Sequence, residues 1–245
     1  VLILKVHRSN FMIEGFTEEA GFSELAALGK QKRIPVVIDL GSGVLLSPDI
    51  SGLPNEPTVR DAVKSKADLV CFSGDKLLGG CQAGIILGRK SLVSRLNRNP
   101  IYRVVRPDKI TIGITEELFI KYLKGDYRNI PIWNSVRVSK AELTERSRVF
   151  IDKVSLPEGM LTIRDSYAYA GGGSDPGGKI ESVIIKFNGF NSQELAAAFR
   201  LTDPPVIGRI EGNAFCVDLR TVLPHQEDRL VQLVRKTVLE LNKRN

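Results

Sequence analysis

ADLVCFSGDKLLGGCQAGIILGRK (residues 67–90) is the stretch on which the fold turns. Its apolar run at 69–72 ends in the polar turn SGDK (73–76). A glycine pair follows at 79 and 80, then a second apolar run at 83–87. Short apolar runs bounded by turn residues suit strands buried in a sheet. Upstream, PVVIDL (35–40) has the same form, and VLILKV (1–6) reads as another strand. A helix is expected at about 23–30, closed by Gly29 and basic residues, and another in TVRDAVKSK (58–66). Strands separated by helices of this length indicate α/β layering around a mostly parallel sheet. In such sheets ligands collect at the carboxyl ends of the strands. His7 to Asn10, Asp39, and Ser73 to Lys76 all follow expected strands directly.

Downstream, SLVSRLNRN (91–99) and TEELFIKYL (115–123) are helical, and a longer helix is expected over about 138–153. A smaller α/β lobe follows from about 155. Its strands are KIESVIIKFN (179–188) and GNAFCVDLRTV (212–222). Its helices are NSQELAAAFRL (191–201), with Asn191 and Glu194 spaced as in a capping box, and EDRLVQLVRKTVLEL (227–241). The last helix carries Leu230, Leu233, Val234, Val238 and Leu241 on one face, which is core packing. The glycine-rich GGGSDPGG (171–178) lacks the ending of a phosphate-binding Walker loop and reads as a connector.

With 245 residues, 42% of them hydrophobic, the chain can build one large core, or one large and one small domain. The formal charge of +7 is compatible with polyanionic partners such as RNA, and equally with an ordinary solvated surface, since the charges are spread out. Three cysteines at unrelated spacing argue against a disulfide framework and a zinc site, and for a reducing, cytoplasmic compartment. Cys71 and Cys216 sit in apolar runs and read as core thiols. Two distant histidines make no metal site, and no apolar run is long enough to span a membrane. The chain opens in an apparent buried strand without an initiator Met, so a piece of a longer protein is expected.

The chemistry centres on SGDK. A lysine after a buried strand, with glycines that let a bulky ligand approach, forms a Schiff base where its surroundings let it shed a proton. Alone, Lys76 reads equally as an exposed turn lysine. Asp39 ends a different strand, where a carboxylate pairs with a protonated ring nitrogen, or simply starts a turn. Together they suggest a pyridoxal phosphate (PLP) site, with Ser73 as a phosphate donor. Arg103 and Arg106, three apart in NRNPIYRVVRPDK (97–109), would bind a phosphate-like anion, or belong to a solvated basic loop.

HRSNFMIEGF (7–16), IDLGSG (38–43), FSGDKLLGGCQAGII (72–86), RVVRPDK (103–109) and PPVIGRIEGNAFCVDLRTV (204–222) resemble bacterial selenocysteine synthase, the L-seryl-tRNA(Sec) selenium transferase, in order along almost the whole chain. The resemblance implies a fold-type-I PLP-dependent transferase. Residues 1–135 would be the C-terminal part of the PLP-binding large domain, 136–154 a linking helix, and 155–245 a small C-terminal α/β domain. It implies that Lys76 holds the cofactor as a Schiff base and takes the substrate's Cα proton, that Asp39 keeps the ring nitrogen protonated, and that Asp75 helps set the lysine's ionisation. By analogy with related enzymes, Asn10 and Ser73 lie near the cofactor's hydroxyl and phosphate. Arg103 and Arg106 would grip selenophosphate. The implied reaction converts seryl-tRNA(Sec) to selenocysteinyl-tRNA(Sec) through an aminoacrylyl intermediate, in a decamer built of dimers. The sequence departs from the family at Cys81, where the family usually has Pro, which loosens a turn. The family's phosphate-gripping glycine loop and tRNA-binding domain lie earlier than residue 1, so the chain alone is expected to be inactive. Competing readings are another PLP enzyme, such as a cysteine desulfurase-like lyase, and a non-catalytic RNA-binding or assembly paralogue.

Overall fold

The computed structural model describes residues 1–8, 11, 13, 15–171 and 178–242. They form two compact units: residues 1–137 with 169–178, and residues 138–168 with 179–245.

Unit 1 begins with β1 (Ile3–Val6), α1 (Phe22–Lys32), β2 (Val36–Gly41), the single turn α2 (Pro48–Ser51), α3 (Val59–Lys64), β3 (Leu69–Ser73) and β4 (Gly84–Gly88). The strands make one sheet, sheet A, in the order β1-β2-β3-β4. β1, β2 and β3 are mutually parallel, but β4 turns back antiparallel on β3. Hydrophobicity alone located both strands of that pair; direction is set by the length of the connection, and the short 74–83 link cannot carry a parallel crossover. One face of the sheet is buried through Val36, Ile38, Leu40, Val70 and Phe72. α1 lies close on that face: a Cβ at Gly29 would stand 2.2 Å from the Val36 side chain.

Four helices complete unit 1: α4 (Lys90–Arg98), α5 (Pro100–Val105), α6 (Lys109–Leu123) and α7 (Pro131–Arg137). The basic stretch, whose sequence leaves a turn, a helix and a solvated loop open, is helical in part. Asn99 caps α5 by accepting from Ile101 N, and Pro100 occupies the first turn, where its missing N–H costs nothing.

Unit 2 comprises α8 (Lys140–Val154), β5 (Leu161–Ala168), β6 (Ile180–Phe187), α9 (Ser192–Arg200), β7 (Arg209–Glu211), β8 (Ala214–Val217) and α10 (Glu227–Asn242). Its sheet B is antiparallel, ordered β5-β6-β8-β7. Sequence reading missed β5 because Arg164 and Asp165 interrupt its apolar pattern and face solvent. Phe187, Phe199 and Phe215 form the centre of the core. Phe199 stacks on Phe215 at 5.0 Å, and both meet Phe187 edge-on. Leu230, Val234, Val238 and Leu241 of the α10 stripe pack into this core, and Leu233 is buried. Asn191 caps α9 by accepting from Gln193 N and Glu194 N.

Candidate functional site

The face of sheet A opposite its buried core carries Asp39. Alternation along β2 places Val37, Asp39 and Gly41 on this side, and the register sets Asp39 beside Val6 of β1 and Cys71 of β3. Ser73 shares the face, two residues beyond Cys71. Asp39 Oδ1 accepts from Gly41 N at 3.0 Å. Cys71 is a correction to its reading as a core thiol. It is only partly buried, and its thiol donates to Ile38 O at 3.5 Å. Desolvation pushes that thiol up to about 11, and the neighbouring Asp39 charge adds to the effect. Cys216 is buried as expected.

β2 and β3 run parallel side by side, so Asp39 and the SGDK turn leave the same edge of the sheet. The segment after Asp39 then closes on the end of β3. Gly43, at φ +75°, sits so near that a Cβ there would lie 2.7 Å from Ser73 O. Only glycine fits both the angle and the space. Lys76 follows three residues later, partly buried, while Asp75 is exposed. The turn is tied down by backbone bonds from Gly74 N to Ala83 O, Gly79 N to Lys76 O and Gly80 N to Gly74 O. α6 and α7 clamp it from outside. Tyr122 Oη donates to Leu78 O at 2.8 Å and accepts from Trp133 Nε1 at 2.6 Å. Leu118 packs on Gly80, and Ile130 and Ile132 on Gly79.

The structure thus brings Asp39 and Ser73 onto one face and sets the Lys76 turn at the same edge. It does not place Arg103 and Arg106 with them. Arg103 lies in the last turn of α5 and Arg106 just past it in extended backbone, so the two do not share a helical face. Both are exposed, and neither side chain makes an ion pair or hydrogen bond with the described residues. Asn10 lies outside the described residues, as do residues 172–177 of the glycine-rich connector. Sequence reading missed Glu56, whose buried carboxylate takes a hydrogen bond from Ser42 Oγ and faces His7. A glutamate in a loop rich in Pro, Gly and Ser gives no signal of burial. Among the described residues no cluster of His, Cys, Asp or Glu could hold a metal, and no helix is long and apolar enough to cross a membrane.

PLP needs an amine for its aldehyde, an acid partner for its ring nitrogen and room near the backbone. Lys76, Asp39 and the glycines at 41, 43 and 74 are of those types, so the residues present fit the group. The partly parallel α/β sheet, with Asp39 near the end of β2 and Lys76 just past β3, has the fold expected of a fold-type-I transferase. A solved structure of D-glucosaminate-6-phosphate ammonia-lyase shares the fold, with a TM-score of 0.65 at 17% identity over 98% of this chain and 57% of that one. The family model for L-seryl-tRNA selenium transferase matches residues 1–223, and the chain belongs to that family. Among its curated relatives, the L-seryl-tRNA(Sec) selenium transferase of Carboxydothermus hydrogenoformans is 39% identical over 96% of this chain and 52% of its own length. That of Methylocella silvestris is 42% identical over 89% and 49%. The chain therefore spans about half the length of the curated relatives it matches.

Proposed function

We propose that this chain supplies the lysine-bearing part of a cytoplasmic enzyme that converts seryl-tRNA(Sec) to selenocysteinyl-tRNA(Sec), with PLP as cofactor and selenophosphate as selenium donor. One observation carries the reading: in a chain that belongs to this family, an amine and a carboxylate leave adjacent parallel strands at one edge of sheet A. When bound, PLP supplies an electron sink that acidifies the serine Cα–H and lets the β-hydroxyl leave.

The chain's own residues do the rest. Lys76 Nζ would hold the cofactor covalently and, once the substrate's amine has displaced it, would be the free amine that takes the Cα proton. Asp39 keeps a proton on the ring nitrogen, the Ser73 hydroxyl donates to the phosphate, and Asn10 lies by the ring hydroxyl. Asp75, exposed beside the lysine, helps keep Nζ in the right protonation state. Arg103 and Arg106 offer two guanidinium groups with no partner of their own among the described residues, as a phosphate-like donor requires. Residues 1–135 serve as part of the cofactor-binding domain, 136–154 as a linking helix and 155–245 as a small domain. The homo-oligomer, a decamer built of dimers, is supported by the exposed apolar side chains of α5 and α6, including Val104, Val105, Ile110 and Ile112. The chain by itself is inactive in this reading.

The test is borohydride reduction of the full-length protein loaded with PLP, followed by peptide mapping. A pyridoxyl adduct on Lys76 is expected; no adduct there overturns the assignment. Turnover of seryl-tRNA(Sec) but not of free amino acids is expected in the same preparation, and the reverse would point to a lyase acting on free amino acids.

A further inference from the structure

The carboxyl-terminal edge of sheet A holds one more buried ionisable group, unused by the chemistry above. The Glu56 side chain has no solvent exposure, although its loop (42–58) lies on no regular element at that point. A carboxylate taken out of water costs several kcal/mol unless charge and hydrogen bonds meet it. Glu56 is met from two sides: Ser42 Oγ donates to Oε1, and His7 Nε2 stands 3.6 Å from Oε2. His7 Nε2 is itself buried and makes no hydrogen bond among the described residues.

Both partners are fastened to the strand that carries Asp39. His7 N donates to Asp39 O at 2.7 Å. Ser42, fully buried, lies three residues after Asp39, and its N–H donates to Leu40 O at 2.8 Å. The strand needs such fastening here. The ladder between β2 and β3 slips between Asp39 and Gly41, and Gly41 and Gly43 both have positive φ. Asp39 is therefore the last β2 residue in register with both Val6 and Cys71, and the backbone that follows its carboxylate leaves regular pairing.

We propose that Glu56 is a positioning residue for Asp39: through His7 on one side and Ser42 on the other, it fixes the backbone from which the ring-nitrogen carboxylate projects. The proposal rests on the PLP reading of Lys76 and Asp39.

The experiment uses the full-length protein loaded with PLP. It compares Glu56→Ala, Glu56→Gln and Ser42→Ala by PLP dissociation constant, by the pH dependence of the bound cofactor's visible absorption band, and by Tm. Glu56→Ala should weaken PLP binding about tenfold, as loss of one charge-assisted contact does, and shift the pH midpoint of the band. Glu56→Gln keeps an acceptor for Ser42 and should recover affinity to within about threefold. Parental affinity and an unmoved band in Glu56→Ala overturn the proposal. So does a lowered Tm with both cofactor readouts unchanged, which marks a purely structural carboxylate. Should Glu56→Ala not fold, the other two variants decide: a shifted band in Ser42→Ala supports the proposal, and parental behaviour in both overturns it. Lys76→Ala is the control for the underlying reading and should abolish the band. An unchanged band in Lys76→Ala sinks the assignment of Lys76 as the Schiff-base lysine, whatever Glu56 does.

Discussion

Unit 2 closes a phenylalanine core on itself and exposes scattered apolar side chains such as Leu201 and Ile207, whereas unit 1 leaves apolar side chains open side by side on both its sheet and its helices. In unit 2 the phenylalanine trio is sealed by α8, α9 and α10, and even the charged Arg220 is buried, donating to Val138 O, Glu181 O and Ser182 Oγ. In unit 1, Leu4, Val6 and Ile86 stand about half exposed around Asp39, and Val104 and Ile110 are 85% and 73% exposed. Soluble chains rarely expose contiguous apolar surface without a use for it. The lesson is a division of labour: the unit with the finished core carries none of the candidate site residues, and the unit with the open faces carries all of them.

That contrast can be broken most directly in unit 2. Phe199→Ala should cost about 4 kcal/mol, seen as a large drop in the urea midpoint, because the cavity is walled by Phe187 and Phe215. A cost below about 1 kcal/mol would mean that the core collapses to fill the gap and is no more finished than unit 1.

The next effect probes the open face. At pH 8, Cys71, with its thiol at about 11, should be alkylated about a hundredfold more slowly than an ordinary cysteine. Labelling at an ordinary rate would mean that the Asp39 face is wetter than its neighbours imply.

Tyr122→Phe comes third. It strips Leu78 O and Trp133 Nε1 of a partner and should cost about 2 kcal/mol in thermal unfolding. A neutral result would show that the lysine turn is held by its own backbone bonds.

The smallest effect lies at the start of unit 1. Hydrogen bonds from Lys5 and then Arg8 lower Glu19 to about 2 from 4.5. A lowered folded-state value adds stability that is complete above pH 4.5 and fades as pH falls towards 2. Because Glu19 is partly exposed, solvent screens the gain. Glu19→Gln should flatten that part of the acid-unfolding curve, and an unchanged curve would remove the pair from the account.

Much of this was legible in the sequence, and the rest was hidden for definable reasons. β2 and β3 announced themselves because strands buried on a sheet read as unbroken apolar runs. The placement of Lys76 just past a strand followed from the same signal, while Asp39 and Ser73, expected just after strands, lie within the last residues of β2 and β3. β5 did not, since its exposed Arg164 and Asp165 break the pattern. The sequence leaves α5 open between helix, turn and loop, although the Asn99–Pro100 pair that starts it is a cap signal. The misreading of Cys71 has a single cause: apolar neighbours in sequence say that a strand is buried, not which of its faces is. Glu56 was beyond reach, because it is met by His7 from a distant segment and by Ser42 from the far end of its own loop.

Trp133 is the chain's one tryptophan. Its indole N–H ends the short relay through the Tyr122 hydroxyl to Leu78 O, two residues past the lysine. Nature has therefore wired an optical reporter into the turn: the intrinsic emission of a single, sequestered ring registers whether that turn is latched or loose, with no dye attached.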